Sequence, residues 1–302
     1  MPRVVFLLVP SVHLLEVAAP AQVFSIATDF GHDYRLHYVS DEAEVCSVQG
    51  LSLNVDVDWP PLTADDLVVV PGWRGPDRMI SAANARRLRE HHAAGGTVVS
   101  ICAGVDALGR AGLLEGRRCT THHAIQEELA RTYPGTVVVR DVLFVSDDRV
   151  VTCAGVASAT DLALHLVSVR HGPAVAASIA RAMVVHVGRE GGDPQLSSVL
   201  RHRSHVDEAV HRIQDLVDSR FTERLPLRLL AEAAGCSERT VTRLFRRATG
   251  TTPLAYQQVL RLERAEHLID HGATADAAAR AVGFQDARML RTLRARKQAE
   301  SG

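Results

Sequence analysis

Two stretches of this chain set reactive or charged side chains at spacings with chemical meaning. In GGTVVSICAGVDALGRAGLLEGRRCTTHH, residues 95–123, an apolar run ends at Cys102 and a helical pattern begins at once. A strand that turns directly into a helix presents the corner side chain, the form of a nucleophile elbow. Free amides at a helix start favour a thiolate, so the placement predicts a low thiol pKa. Three roles stay open for Cys102: a buried structural residue, a ligand contact, or a nucleophile that turns substrate over. In RLPLRLLAEAAGCSERTVTRLFRRATGTTP, residues 224–253, Gly235 follows Ala231 by four residues, and Val241 comes six later. This is helix-turn-helix spacing: the small Ala admits the second helix, Gly makes the turn, and the apolar residue seats the second helix on the core.

Ser237 is placed to cap that second helix. Val241, Leu244, Phe245 and Ala248 share one face of it, leaving Arg239, Thr242, Arg243, Arg246 and Arg247 outside. A helix with such a polar face fits the major groove, where Arg pairs with guanine or phosphate. A generic helical hairpin with a solvated arginine face shares the outline. A weaker copy lies 48 residues on: Ala279 and Gly283 repeat the interval, Phe284 follows, and Gln285, Arg288, Arg291 and Arg294 decorate the next helical pattern.

The elements that would position these groups fall into two regions. Apolar strand patterns at Arg3–Val9, Tyr34–Ser40, Leu67–Val70, Thr97–Ile101, Val137–Val139, Leu143–Val145 and Arg149–Thr152 alternate with helical patterns at Leu14–Asp29, Asn84–Ala94, 156–171 and 173–186. Strands separated by helices predict an α/β layer with a mainly parallel sheet, flavodoxin-like, whose ligands bind beyond the carboxyl ends of the strands. Past residue 205 only helical periods occur: Asp207–Arg220, Leu227–Ala234, Glu238–Thr249, Pro253–His271, Ala275–Val282 and Asp286–Gln298. The expected organisation is an α/β domain over 1–188, a Gly/Ser/charge-rich linker over 189–205, and an all-α domain with two helix-turn-helix units over 206–302.

Composition agrees with two folded domains: 302 residues, 46% hydrophobic and 23% charged. The net charge of −1 hides a split, with 18 basic and 13 acidic residues over 201–302. That basic half suits a polyanion, while a merely solvated surface remains the plain alternative. Of the basic residues 33 are Arg and one is Lys297. Five cysteines at 46, 102, 119, 153 and 236 form an odd set without CxxC spacing, which disfavours a disulfide framework or a structural zinc and predicts a reduced, cytoplasmic chain. No apolar run reaches the ~18 residues a membrane span needs, and Pro10, His13 and Glu16 interrupt a secretory core after Val4–Val9. No metal site or cofactor is expected; Asp65-Asp66 reads as a loop pair.

GTTPLAYQQVLRLERAEHLI between the two units, followed by AVGF, resembles the DNA-binding domain of the AraC/XylS family over roughly 206–297. Its second recognition helix is one residue short of the family pattern, and the closing Gly-x-Ser-Pro-x-x-Tyr-Arg is missing. LLEVAAPAQVF (14–24), VVVPGW (68–73), the stretch around Cys102 and TCAGVASATDLALHLVSVRHG (152–172) resemble the ThiJ/PfpI domains of the class I glutamine amidotransferase-like superfamily. The whole chain resembles GlxA-type regulators, which fuse the two. The resemblance implies that Cys102 is the elbow cysteine, that Glu16 contacts its thiol and that His122 lies near it, although Glu16 as an ordinary helix-face carboxylate and His122 as half of a surface pair with His123 stay open. A protonated Glu16 would lower the thiol pKa and an ionised one would raise it. Trp73 stands for the second Gly of a Pro-Gly-Gly that begins at Pro71-Gly72, so its indole is expected to crowd the pocket. Ala103 stands where superfamily proteases carry His, so no Cys–His dyad is supplied.

The expected protein is a regulator that binds double-stranded DNA under control of a small-molecule effector. The ligand contacts are Glu16, Gly72, Trp73, Cys102, Ala103 and His122. The partners are a second copy of the chain, and RNA polymerase if it activates; no membrane is involved. The rival is a hydratase, amidase or aldehyde-handling enzyme using Cys102, Glu16 and His122.

Overall fold

Valine runs bounded by Gly and Pro become strands that are buried on both faces, which is why they read as continuous rather than alternating. The computed structural model describes residues 1–75, 79–185, 189–195, 202–270 and 272–301. It divides into two units, Met1–Gln195 and Leu196–Gly302.

In the first unit the strands are β1 (Arg3–Leu7), β2 (Arg35–Val39), β3 (Glu44–Cys46), β4 (Ser52–Asn54), β5 (Leu67–Val70), β6 (Thr97–Ile101), β7 (Arg118–Cys119), β8 (Val137–Val138), β9 (Phe144–Asp147) and β10 (Val150–Cys153). The main sheet runs β2-β1-β5-β6-β10-β9, parallel except for the antiparallel edge strand β9. The helices are α1 (Leu14–Ala27), α2 (Ala82–Ala93), α3 (Val105–Arg110), α4 (Gln126–Thr132), α5 (Ser158–His171) and α6 (Pro173–Ala182). Because side chains alternate along a strand, Val4, Phe6 and Leu8 pack with Val23, Phe24 and Leu162 of α1 and α5. Val5, Leu7 and Val9 pack on the opposite face with Leu88 of α2 and Leu108 of α3. This is the expected flavodoxin-like sandwich.

Several elements differ from the sequence reading. The α1 helix ends at Ala27 in a 3-10 turn, Thr28–Phe30, closed by left-handed Gly31. Val137–Val138 pairs with β7 in a separate two-stranded ladder, not with the main sheet. The β3–β4 hairpin and α4 were not expected, since three-residue strands and a two-turn polar helix carry too little periodicity. Residues 186–188, at the end of the pattern read over 173–186, lie outside the described residues, as do 196–201 of the stretch read as linker. The part over 189–195 binds the first unit: Gly191 O accepts from Leu143 N at 2.8 Å and Phe144 N at 3.2 Å.

The second unit is helical throughout its described residues: α7 (Glu208–Arg220), α8 (Leu227–Ala234), α9 (Glu238–Thr249), α10 (Pro253–Asp270), α11 (Ala275–Ala281) and α12 (Ala287–Ser301). Helix α10 begins as expected, and His271 lies outside the described residues. Asp207, Ser237 and Thr274 cap α7, α9 and α11 by accepting backbone N–H bonds. Two small cores result. Val210 and Ile213 of α7, Leu230 of α8, Val241 and Phe245 of α9, and Tyr256 of α10 form one. Leu262 and Ala265 of α10, Ala278 and Ala279 of α11, and Leu290 of α12 form the other. Helix α10 is therefore shared between the two helix-turn-helix units.

Candidate functional site

The loops after β1, β5, β6 and β10 converge at one end of the sheet, where such folds bind ligands. Cys102 follows β6 with φ at 53°, a left-handed conformation that a non-glycine residue adopts at a cost of about 1–3 kcal/mol. The Thr121 hydroxyl holds this corner by donating to Cys102 O at 2.8 Å. Glu16, fully buried on α1, accepts from Gly72 N at 2.7 Å and from Val156 N at 3.1 Å, and its charge acts on the Cys102 thiol. The neighbours are tight. A Cβ on Gly72 would stand 2.7 Å from Glu16 Oε2 and 3.0 Å from Cys102 Cβ, and one on Gly155 would overlap Cys102 Cβ.

The electrostatics overturn the expected thiolate. The thiol of Cys102 is pushed up to about 12 by burial first and by the Glu16 charge second. The Ala103 amide does favour the thiolate, as a helix start should, but it is outweighed. Glu16 is itself raised above the usual carboxylate range by burial, against the two backbone hydrogen bonds it accepts. At neutral pH the thiol is held in its neutral form, which suits contact more than attack.

The structure places the other residues less uniformly. His122, half-buried, accepts from Ala124 N through Nδ1 at 3.3 Å, so the neutral ring carries its proton on Nε2 and donates there rather than taking a proton. Burial and the neighbouring His123 and His13 hold it below the usual histidine value. The Trp73 indole does not crowd the cleft as expected: it is buried in the core with Val9, Val39 and Val70. The N–H of Gly72 is engaged by Glu16. Ala103, half-buried, lies beside the thiol.

Sequence reasoning missed Gln195 because it fell in a stretch without period. Its Nε2 donates to Thr121 O at 2.8 Å and Val142 O at 3.1 Å, and its Oε1 accepts from His123 N at 2.8 Å. It therefore pins the His122 loop and, through Thr121, the Cys102 corner.

In the second unit α9 is the predicted reading helix. Val241 and Phe245 are fully buried, while Arg239, Arg243, Arg246 and Arg247 are exposed and line one open groove with Thr242. Ser237 accepts from Thr240 N at 3.3 Å, and Gly235 makes the left-handed turn at φ 67°. In the second copy, Asp286 caps α12 by accepting from Arg288 N at 2.8 Å. The cap follows its glycine by three residues, against two in the first copy. The missing residue is thus taken up by the turn, and α12 is 15 residues long against 12 for α9. Two corrections follow. Gln285 lies in the turn ahead of the helix, exposed but not on its face. With the caps superposed, Arg294 takes the place of Phe245, half-buried and paired with Glu266 at 3.5 Å. Arg288 and Arg291 are exposed, at the positions of Arg239 and Thr242. No group of three or more His, Cys, Asp or Glu among the described residues could hold a metal ion.

An α/β sandwich with a strained elbow cysteine, joined to a two-copy helix-turn-helix domain, is the build of a DNA-binding regulator. Residues 2–169 match the DJ-1/PfpI family, and residues 230–299 match a helix-turn-helix domain. The chain belongs to the DJ-1/PfpI family. It is 29% identical over 266 residues, 87% of this chain and 79% of the other, to the HTH-type transcriptional regulator CdhR of Pseudomonas aeruginosa. It is 32% identical over 163 residues, 53% of this chain and 68% of the other, to an isonitrile hydratase of Pseudomonas putida. The crystal structure of an AraC family transcriptional regulator from Pseudomonas putida matches 61% of this chain and all of that chain, with a TM-score of 0.53 and 25% identity. The resemblance read from the sequence, to a ThiJ/PfpI domain followed by an AraC-type DNA-binding domain, is borne out. No described helix is long and apolar enough to cross a membrane.

Proposed function

We propose that this protein is a sequence-specific, DNA-binding transcriptional regulator, and that a small molecule bound at the Cys102 end of its α/β domain sets its DNA affinity. The observation that carries the first part is the α9 helix. Four exposed arginines stand opposite a buried Val241/Phe245 face, on a helix capped and turned as a major-groove reader requires. Replacing Arg239 or Arg243 with Ala tests it. A base-reading arginine costs about 1–3 kcal/mol and relaxes preference at one base pair, whereas a phosphate contact weakens all sequences alike. Losses should be larger there than for Gln285→Ala. DNA binding unchanged in both arginine variants would overturn the assignment.

The effector part rests on the rim of the elbow. Cys102, Ala103 and His122 are each half-buried there, and the Nε2 proton of His122 offers a donor. Gln195 supplies the route. A ligand that prefers one placement of the His122 loop alters the hydrogen bonds that hold Gln195, the end of the α/β unit, and affinity follows by linkage. The chain acts as a homodimer through residues 1–188, joining two readers at high effective concentration. It works in the cytoplasm and meets RNA polymerase if it activates. The likeness to an isonitrile hydratase favours a second reading, turnover at Cys102. The high thiol pKa, the donor tautomer of His122 and Ala103 in the place of a protease histidine weigh against it.

A further inference from the structure

Helix α10 carries one side chain that ties the first helix-turn-helix unit to the second. The Arg261 guanidinium donates through Nε to Phe221 O at 2.6 Å, through Nη2 to Glu223 O at 2.7 Å and through Nη1 to Gly283 O at 2.9 Å. The first two carbonyls belong to the chain leaving α7, where the Phe221 side chain packs against the cores of both units. The third is in the turn that aims α12. Gln257, one turn earlier on α10, donates to the same Phe221 and Glu223 carbonyls at 2.9 and 2.7 Å. Arg261 also lies over the Phe284 ring, 5.6 Å from its centroid.

A second observation stands apart from the arginine. Gly283 has φ at 85°, and a Cβ there would overlap Thr222 O and lie 3.1 Å from Arg261 Nη2. The turn of the second unit therefore presses its backbone onto the end of the first unit's α7, and only glycine permits that approach. Carbonyls just past a helix end lack intrahelical partners; Gln257 shares the two that follow α7, and only the Arg261 fork bonds them together with the turn of the other unit. Lysine cannot reproduce that fork, because it carries one point-like ammonium.

We propose that Arg261 and Gly283 form a clasp that fixes α12 relative to α9, so that the protein reads two DNA segments at one set spacing. Arg261 is a positioning residue in this role: it acts on the separation of the two reading helices. The inference rests on the DNA-reading function proposed above. Inserting one base pair between the two segments turns the second by about 34° around the duplex, given ~10.5 base pairs per turn. A clasped pair of readers cannot follow that rotation.

The test uses the full-length chain and a duplex selected by the wild type from a randomised pool, with footprinting to mark the two contacted segments. The same duplex is then made with one inserted base pair between them. The wild type should lose at least about tenfold in affinity on insertion, comparable to a mismatched site. Arg261→Met should bind the uninterrupted duplex more weakly and lose less than about threefold on insertion, with Arg261→Lys intermediate. Gly283→Ala, which forces the turn outward without removing the arginine, should also lose spacing discrimination, and it serves if Arg261→Met fails to fold by helix content and melting. A wild type that binds but tolerates the insertion would overturn the clasp, as would variants as spacing-sensitive as the wild type. Failure of the wild type to select any duplex would instead overturn the DNA-reading function.

Discussion

Replacing Glu16 with Gln separates the two causes that keep the Cys102 thiol neutral. Burial is the larger cause and survives the change; the charge of Glu16 is the second and is removed. The thiol should therefore fall from about 12, while burial, the larger cause, still holds it above an ordinary cysteine. The variant has a structural cost. The carboxylate accepts from both Gly72 N and Val156 N, and an amide offers one acceptor, so one N–H loses its partner, at about 1–3 kcal/mol where it is the buried Gly72 N–H and less at the partly exposed Val156. Alkylation by iodoacetamide across pH, read by mass spectrometry of the Cys102 peptide and run well below the melting temperature, measures the result. Exposed Cys46 in the same chain is the internal reference. In the wild type Cys46 should react first at pH 7–8, with Cys102 slow until alkaline pH. In Glu16→Gln the Cys102 rate at pH 9 should rise, by less than the gain in thiolate because a lower-pKa thiolate is the weaker nucleophile. Wild-type Cys102 reacting faster than Cys46 at neutral pH, or slowing in the variant, would refute the reasoning and return the elbow to the nucleophile reading.

Three further outcomes follow from the same geometry. Because the Glu16 pKa is raised in the folded chain, its contribution to stability is present below the usual carboxylate value and lost as pH rises through the folded one. The stability of the wild type relative to Glu16→Gln should accordingly decline with rising pH in that window, and an increase would contradict it. Phe245→Ala removes the buried anchor of α9 and should destabilise the helical unit by about 3–5 kcal/mol in a denaturant titration; a loss under 1 kcal/mol would mean the helix is seated otherwise. Gln195→Ala removes the acceptor of the His123 amide and should speed its hydrogen exchange at least about tenfold, whereas unchanged exchange would remove Gln195 from the coupling route.

The periodic parts of the chain were legible in the sequence. Buried runs such as Leu67–Val70 and Thr97–Ile101, and amphipathic helices with a cap, such as Glu238–Thr249 behind Ser237, leave strong local patterns. The pairing of Cys102 with Glu16 came from resemblance to a family; 86 residues separate them, and only the parallel crossover brings them together. For the thiol pKa the sequence offered the helix-start amide and the charge of Glu16 with opposite signs; burial, the largest cause, is a product of the fold and leaves no local mark. Trp73 was misplaced for a related reason: a motif position does not say which side of the sheet a ring enters. Gln195 and Arg261 act through backbone carbonyls, and a backbone carbonyl leaves no mark in a sequence. The displaced register of the second reading helix was visible as a missing residue, but its consequence, Arg294 against Glu266 where the first unit buries Phe245, needed the caps to be located.

The central claim, that the arginine face of α9 and its counterpart on α12 bind duplex DNA, is tested most directly by the salt dependence of binding by the full-length chain. With about 4–6 phosphates engaged, log K should fall against log salt with a slope of roughly −4 to −5, and Arg246→Ala together with Arg247→Ala should make the slope shallower by about one for each phosphate no longer engaged. A response flat in salt, or no binding to duplex DNA at low salt, would contradict the account.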